Sequence, residues 1–171
     1  LSGQPNPAVL NMLNTKYIIQ RSPDGNNKAA YPNPGAMGNC WFVQGVQWVK
    51  GPVEEMKAME SFSPRDTDIM EEQFKNIVGT ITAPDSTASI RQTQFDNMAI
   101  SYESKSSGNH LAVFSEVFYR DWKAYIDGKE VPVAKANYVL RALVIPAGNH
   151  KIEFKFEPAV FNTSYQVSQW A

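Results

Sequence analysis

Cysteine, histidine, net charge and long apolar runs are all scarce in this 171-residue chain, and each scarcity removes a class of function. Cys40 stands alone, so no internal disulfide and no cysteine-based metal site can form. The two histidines, His110 and His150, form neither an HxH nor an HExxH pattern, so no metal site is expected, and no cofactor motif is present. Sixteen basic and seventeen acidic residues leave a formal charge of −1, with no basic stripe to neutralise phosphates, so nucleic acid is not an expected partner. No stretch reaches the ~18 apolar residues needed to cross a bilayer. Leu1 is followed by no charged region and apolar core of a signal peptide. The expectation is an excised part of a longer protein.

What remains is ordinary for a folded chain, 43% hydrophobic and 12% aromatic, long enough to bury a core. Residues 6–14 predict a short helix, with Asn6 as cap and Pro7 in its first turn. Residues 16–20 (KYIIQ) read as a buried strand, and residues 21–39, dense in Pro, Gly and Asn, as a long loop. Residues 40–50 read as a strand, or a bent pair of strands around Gly45. A helix follows Gly51-Pro52, with a buried stripe of Val53, Met56, Ala58, Met59 and Phe62, and residues 66–74 suggest a second helix.

From residue 88 the texture changes to strands at 88–95, 97–104, 110–119, 122–126, 129–133, 138–145 and 150–156, separated by turn signals. His110–Tyr119 is apolar on both faces, as a central strand is. Ile152, Phe154 and Phe156 alternate with Lys151, Glu153 and Lys155, as a half-buried strand does. The fold class is therefore α+β. A small N-terminal α/β lobe, residues 1–84, packs on a C-terminal antiparallel β-sandwich of jelly-roll or immunoglobulin-like kind, residues 85–160. Residues 161–171 form a tail.

Several constellations invite a chemical reading. Asp127-Gly128 lies between WKAYI and KEVPV, where a two-residue hairpin turn needs positive φ at both central positions. Glu116 is an acid within an apolar strand and requires a partner. Arg141, on another buried-looking strand, could supply an ion pair, or backbone amides could serve. Alternatively Glu116 is a polar anchor in a sugar-binding cleft, or half of a glycosidase pair with Asp127, which would need a separation of roughly 5 Å or roughly 6.5–9.5 Å. Tyr119, Trp122 and Tyr125 cluster beside a bend and form either packing or a platform on which sugar C–H faces stack. Trp41 and Trp48 carry the same two readings. A Ser115–His150–Asp127 triad fails because Ser115 has a strand context and no nucleophile elbow.

The strings LNMLNTKYII (10–19), GNCWFV (38–43), SEVFYRDWKAYIDG (115–128) and NYVLRALVIPAGNHKIEFKFEP (137–158) span nearly the whole chain. Together they resemble the C-terminal soluble region of the YfhO-type bacterial membrane proteins, the last two strings being the specific ones. The resemblance implies a multi-spanning parent similar to lipid-linked-sugar glycosyltransferases, associated with glycosylation of cell-envelope polymers. Its catalytic carboxylates are expected in the membrane-embedded part, so none is assigned here. The chain would be an extracytoplasmic, non-catalytic domain, with a cell-envelope glycan or polymer as partner and the membrane reached through flanking helices. Tyr165 and Trp170 would then be interfacial aromatics ahead of a closing transmembrane helix. A free-standing secreted carbohydrate-binding or adhesive module is the alternative.

Overall fold

A computed structural model of the chain describes residues 5–22 and 27–158. The N-terminal segments run through helix α1 (Pro7–Met12) and strands β1 (Tyr17–Arg21), β2 (Lys28–Pro32), β3 (Cys40–Val43) and β4 (Gly45–Val49). Helix α2 (Pro52–Ala58) connects β4 to β5 (Thr67–Glu71), and helix α3 (Lys75–Val78) follows. The remaining strands are β6 (Ser89–Phe95), β7 (Ala99–Ser106), β8 (His110–Val117), β9 (Trp122–Ile126), β10 (Lys129–Val131), β11 (Ala134–Ala136), β12 (Leu140–Ile145) and β13 (Gly148–Phe156).

These later strands form an antiparallel β-sandwich, and the fold is α+β. One sheet has the order β10-β9-β13-β7-β6 and the other β11-β12-β8-β3. Strand β3 comes from the first half of the chain, so residues on both sides of position 84 build the sandwich. Alternation decides which side chains enter: Ile152 and Phe154 of β13 are fully buried, whereas Lys151 and Lys155 point away. Between the sheets Tyr102, Phe114 and Phe154 meet edge to face, with ring centroids 4.8 to 6.0 Å apart.

Strand β8 serves two cores. Ala112 and Phe114 face the other sheet, while Leu111 and Val113 face the N-terminal lobe with Met12, Trp41, Val43, Met70 and Val78. A strand buried on both faces calls for apolar residues on each, and Leu111 to Phe114 supply them.

In the lobe, Asn6 caps α1, its Oδ1 accepting from the Ala8 N–H at 2.9 Å, with Pro7 in the first turn. Strands β4 and β5 pair in parallel, which requires a crossover, and α2 lies in it. Four expectations need correction here. Residues 66–74 are not a helix: Asp68–Glu71 are all buried in β5, with Ile69 and Met70 wholly enclosed, and only Glu72–Phe74 turn helically. Pairing with β4 and burial outweigh the segment's weak helical preference. The stripe following Pro52 holds only in its second half, where Met59 and Phe62 pack against the core, and fails in its first. Val53 is 81% exposed, and Met56 is also exposed, whereas Glu55 is 0% exposed. The Glu55 carboxylate is drawn inward by the Tyr138 N–H at 2.7 Å and the Lys135 ammonium at 3.2 Å. The KYIIQ strand exists, but as an exposed ribbon with β2 rather than a buried strand, so the 21–39 segment is not wholly loop. Finally, β10 stops before Pro132, which cannot donate to a ladder, and the chain resumes as β11. The tail at 161–171 lies outside the described residues.

The lobe is tied to the sandwich by the turn between β11 and β12. Asn137 exchanges two hydrogen bonds with Ile69, at 2.9 and 3.0 Å. Lys135 bridges Glu55 and Glu71, at 3.2 and 2.6 Å. Tyr138 holds a φ of +70°, unusual for a bulky residue, and the Glu55 carboxylate fixes its N–H.

Candidate functional site

The β8–β9 connection and the start of β9 place an exposed Tyr119 and a half-buried Trp122 at one end of the sandwich. The chain leaves β8 at Val117 and folds across the sandwich end. The Phe118 N–H donates to the Val139 carbonyl at 2.7 Å, and the Trp122 N–H to the Tyr119 carbonyl at 3.0 Å. That turn brings both Tyr119 and Trp122 against Phe156. The Tyr119 ring stacks on Phe156 at 6.3 Å, and the Trp122 ring tilts against it at 5.4 Å.

Behind Trp122 lies Arg141. Its guanidinium sits 4.4 Å from the Trp122 ring centroid and 5.1 Å from that of Phe154, and its Nε donates to the Val117 carbonyl at 2.9 Å. In front of Trp122 opens a groove of about 310 Å³, bordered by Tyr119, Arg120 and Lys123 on one side and by Glu130, Val131, Pro132 and Val133 on the other. At its rim Lys123 lies 3.5 Å from Glu130, and it also reaches Glu157, outside the groove, at 3.8 Å. The site thus has an aromatic wall, an apolar wall from VPV, and charged groups at its lip. Such an arrangement suits a ring with an apolar face and hydroxyls at its edge.

The other candidate residues fall elsewhere. Tyr125 is on the outer face of the five-stranded sheet, where its hydroxyl donates to Glu157 at 3.0 Å. Glu116 does not border the groove and makes no ion pair with Arg141. It is half-buried, and burial pushes its carboxyl above the usual range, the Arg141 charge offsetting part of that. Burial lowers Arg141 correspondingly, with Glu116 opposing. One terminal Arg141 nitrogen and the hydroxyl of the buried Tyr102 have no hydrogen-bond partner. Cys40 is half-buried near this cluster, and burial raises its thiol to about 12, leaving it protonated and unreactive.

Asp127 and Gly128 form the two-residue loop between β9 and β10, with φ of +50° and +82°. Asp127 lies at the opposite end of the sandwich from Glu116, so the two cannot flank one glycosidic bond. Its carboxylate accepts from His150 Nδ1 at 2.6 Å and from the Lys151 N–H at 2.9 Å. The His150 bond holds Asp127 below the usual carboxylate range and raises the imidazole. Ser115 is remote from this pair, its hydroxyl lying between the Met12 and Gly38 carbonyls, at 2.6 and 2.9 Å, and sharing its one proton with them. Trp41 is core, its Nε1 donating to Pro64 O at 2.8 Å, and Trp48 packs beneath Lys75.

A larger groove, about 440 Å³, lies around Arg91, Glu103 and His150 at the other end, with no Phe, Tyr or Trp in its lining. Sequence reasoning missed Glu130 to Val133 as a groove wall; the Pro in VPV, which ends β10 early, was the available signal. Nothing in the sequence announces that Arg141 stacks on Trp122.

Among the described residues no group of three or more His, Cys, Asp or Glu is placed to hold a metal ion. Nor is any helix among them long and apolar enough to cross a membrane. No curated protein and no solved structure matches the chain. The family model described as bacterial membrane protein YfhO matches residues 65–168, more than half of the chain, and spans the whole sandwich except β3 together with the groove. The chain belongs to the YfhO family of bacterial membrane proteins.

Proposed function

We propose that this chain is a non-catalytic, extracytoplasmic domain of a multi-spanning YfhO protein. It holds a cell-envelope glycan or polymer in the groove beside Tyr119 and Trp122. The observation that carries this reading is the groove itself: two aromatic rings braced by Phe156 border one depression with Lys123 and Glu130 at its rim. The resemblance to lipid-linked-sugar glycosyltransferases supplies the context, in which transfer chemistry belongs to the membrane-embedded part of the parent. The separation of Glu116 from Asp127 supports a binding role over glycoside hydrolysis.

The test is a fluorescence titration of the chain with soluble cell-envelope oligosaccharides, read through tryptophan emission. Tyr119→Ala should weaken binding by about tenfold, the loss of one stacked ring, without lowering thermal stability. Binding that survives Tyr119→Ala and Trp122→Ala together, or no binding by the unaltered chain, would count against the reading.

A further inference from the structure

The two ends of the sandwich are unlike. At the end that carries Asp127 and Gly128, the β9–β10 and β7–β8 turns are polar, and the β12–β13 turn exposes only the small Pro146 and Ala147. At the other end Phe95, Met98, Val117 and Tyr119 are 64%, 50%, 62% and 51% exposed. The topology explains the clustering. The β6–β7 turn, closed by the Asp96 N–H to the Ala99 carbonyl at 2.8 Å, presents Phe95 and Met98. The β8–β9 connection presents Val117 and Tyr119. Both lie beside the end of β13, because the Phe156 N–H donates to the Met98 carbonyl and the Glu157 N–H to the Asp121 carbonyl, at 2.9 and 2.7 Å. A single exposed hydrophobe is unremarkable on any protein, but four on one end are not.

That end is also where the chain departs. Pro158 follows Glu157 there, and thirteen further residues continue from it with Phe161, Tyr165 and Trp170 among them. We propose that this end lies against the surface of the lipid bilayer, with Phe95, Met98 and Val117 in the headgroup region. Its charges nearly cancel: Arg120, Lys123 and Lys155 stand against Asp121, Glu130, Glu157 and Asp96, whose carboxylate accepts from the Met98 N–H at 3.0 Å. Contact is therefore apolar burial rather than attraction to anionic lipid, as for interfacial segments that insert shallowly. The inference rests on the membrane-protein context of the proposed function but not on glycan binding, so the two can fail separately.

The experiment places an environment-sensitive thiol label at one of two sites in a Cys40→Ala background. One is Asn97→Cys, in the turn between Phe95 and Met98; the other is Lys129→Cys, at the opposite end, both positions being exposed. The labelled chains are mixed with phosphatidylethanolamine–phosphatidylglycerol vesicles carrying a nitroxide quencher near the headgroups. The label at 97 should be quenched and blue-shifted and the label at 129 unaffected. Phe95→Ser with Met98→Ser should weaken vesicle partitioning about tenfold or more, leaving the fold and the oligosaccharide titration unchanged. Raising salt from about 0.1 M to about 1 M should not weaken partitioning. Absence of partitioning, equal quenching at both labels, loss of binding in salt, or partitioning that survives the double substitution would overturn the proposal.

Discussion

The Arg141 guanidinium lies 4.4 Å from the centroid of the Trp122 ring and leaves one of its terminal nitrogens without a hydrogen-bond partner. A cation in that position fixes the indole from behind, so the ring reaches the groove with little freedom left to lose on binding.

Arg141→Lys should not rescue this arrangement. A lysine has no planar fork to lie between Trp122 and Phe154 while also donating to the Val117 carbonyl. Chemical denaturation should show a loss of about 1–3 kcal/mol, and Trp122 emission should shift to the red. An unchanged spectrum would mean that Trp122 is held by Phe156 alone.

Asp68 makes a prediction about pH. Its carboxylate is wholly buried, neither oxygen has a partner, and burial, with the Glu55 charge adding to it, raises its pKa well above the ordinary aspartate value. A folded-state pKa above the unfolded one means that the folded state binds more protons between the two. Stability therefore falls as pH rises through that window, by up to about 1.4 kcal/mol per pH unit. Asp68→Asn keeps the shape and removes the titration. The difference between the two proteins' unfolding free energies should grow in the variant's favour from about pH 4 upward, and a pH-independent difference would contradict the assignment. Taking the difference isolates Asp68 from Asp127 and His150, which titrate in both proteins.

Gly128 has a φ of +82°, and a Cβ built there meets nothing within 4 Å. Gly128→Ala should thus destabilise by backbone strain alone, about 1–2 kcal/mol in thermal or chemical unfolding. Gly45→Ala, with equal space and no positive φ, should have a smaller effect.

How far the sequence could be read depended on how many neighbours each residue answers to. Ile152 and Phe154 alternate with lysines because β13 has one dry face and one wet one, and that pattern survives in the sequence. Leu111–Phe114 is apolar throughout because β8 is enclosed on both sides, which also leaves a trace. Asp68 to Glu71 carry no such trace: two acids flank an isoleucine and a methionine, and pairing with β4 together with the Lys135 and Asn137 partners, more than sixty residues away, makes the segment a buried strand. Glu55 misled the helix reading for the same reason, since its partners Tyr138 and Lys135 lie on the far side of the chain. At the candidate site, Tyr119 and Trp122 announced themselves by type and proximity. Their grouping with Val131 to Val133, and the removal of Tyr125 to the other sheet face, follow from strand pairing that local sequence does not encode.

The most direct test of the central claim is an amide chemical-shift map of the chain during titration with soluble cell-envelope oligosaccharide. The account predicts saturable shifts confined to residues 118–123 and 130–133, with the indole N–H of Trp122 among them, and none around Arg91, Glu103 and His150. Shifts centred on that second groove, or none at all, would contradict it.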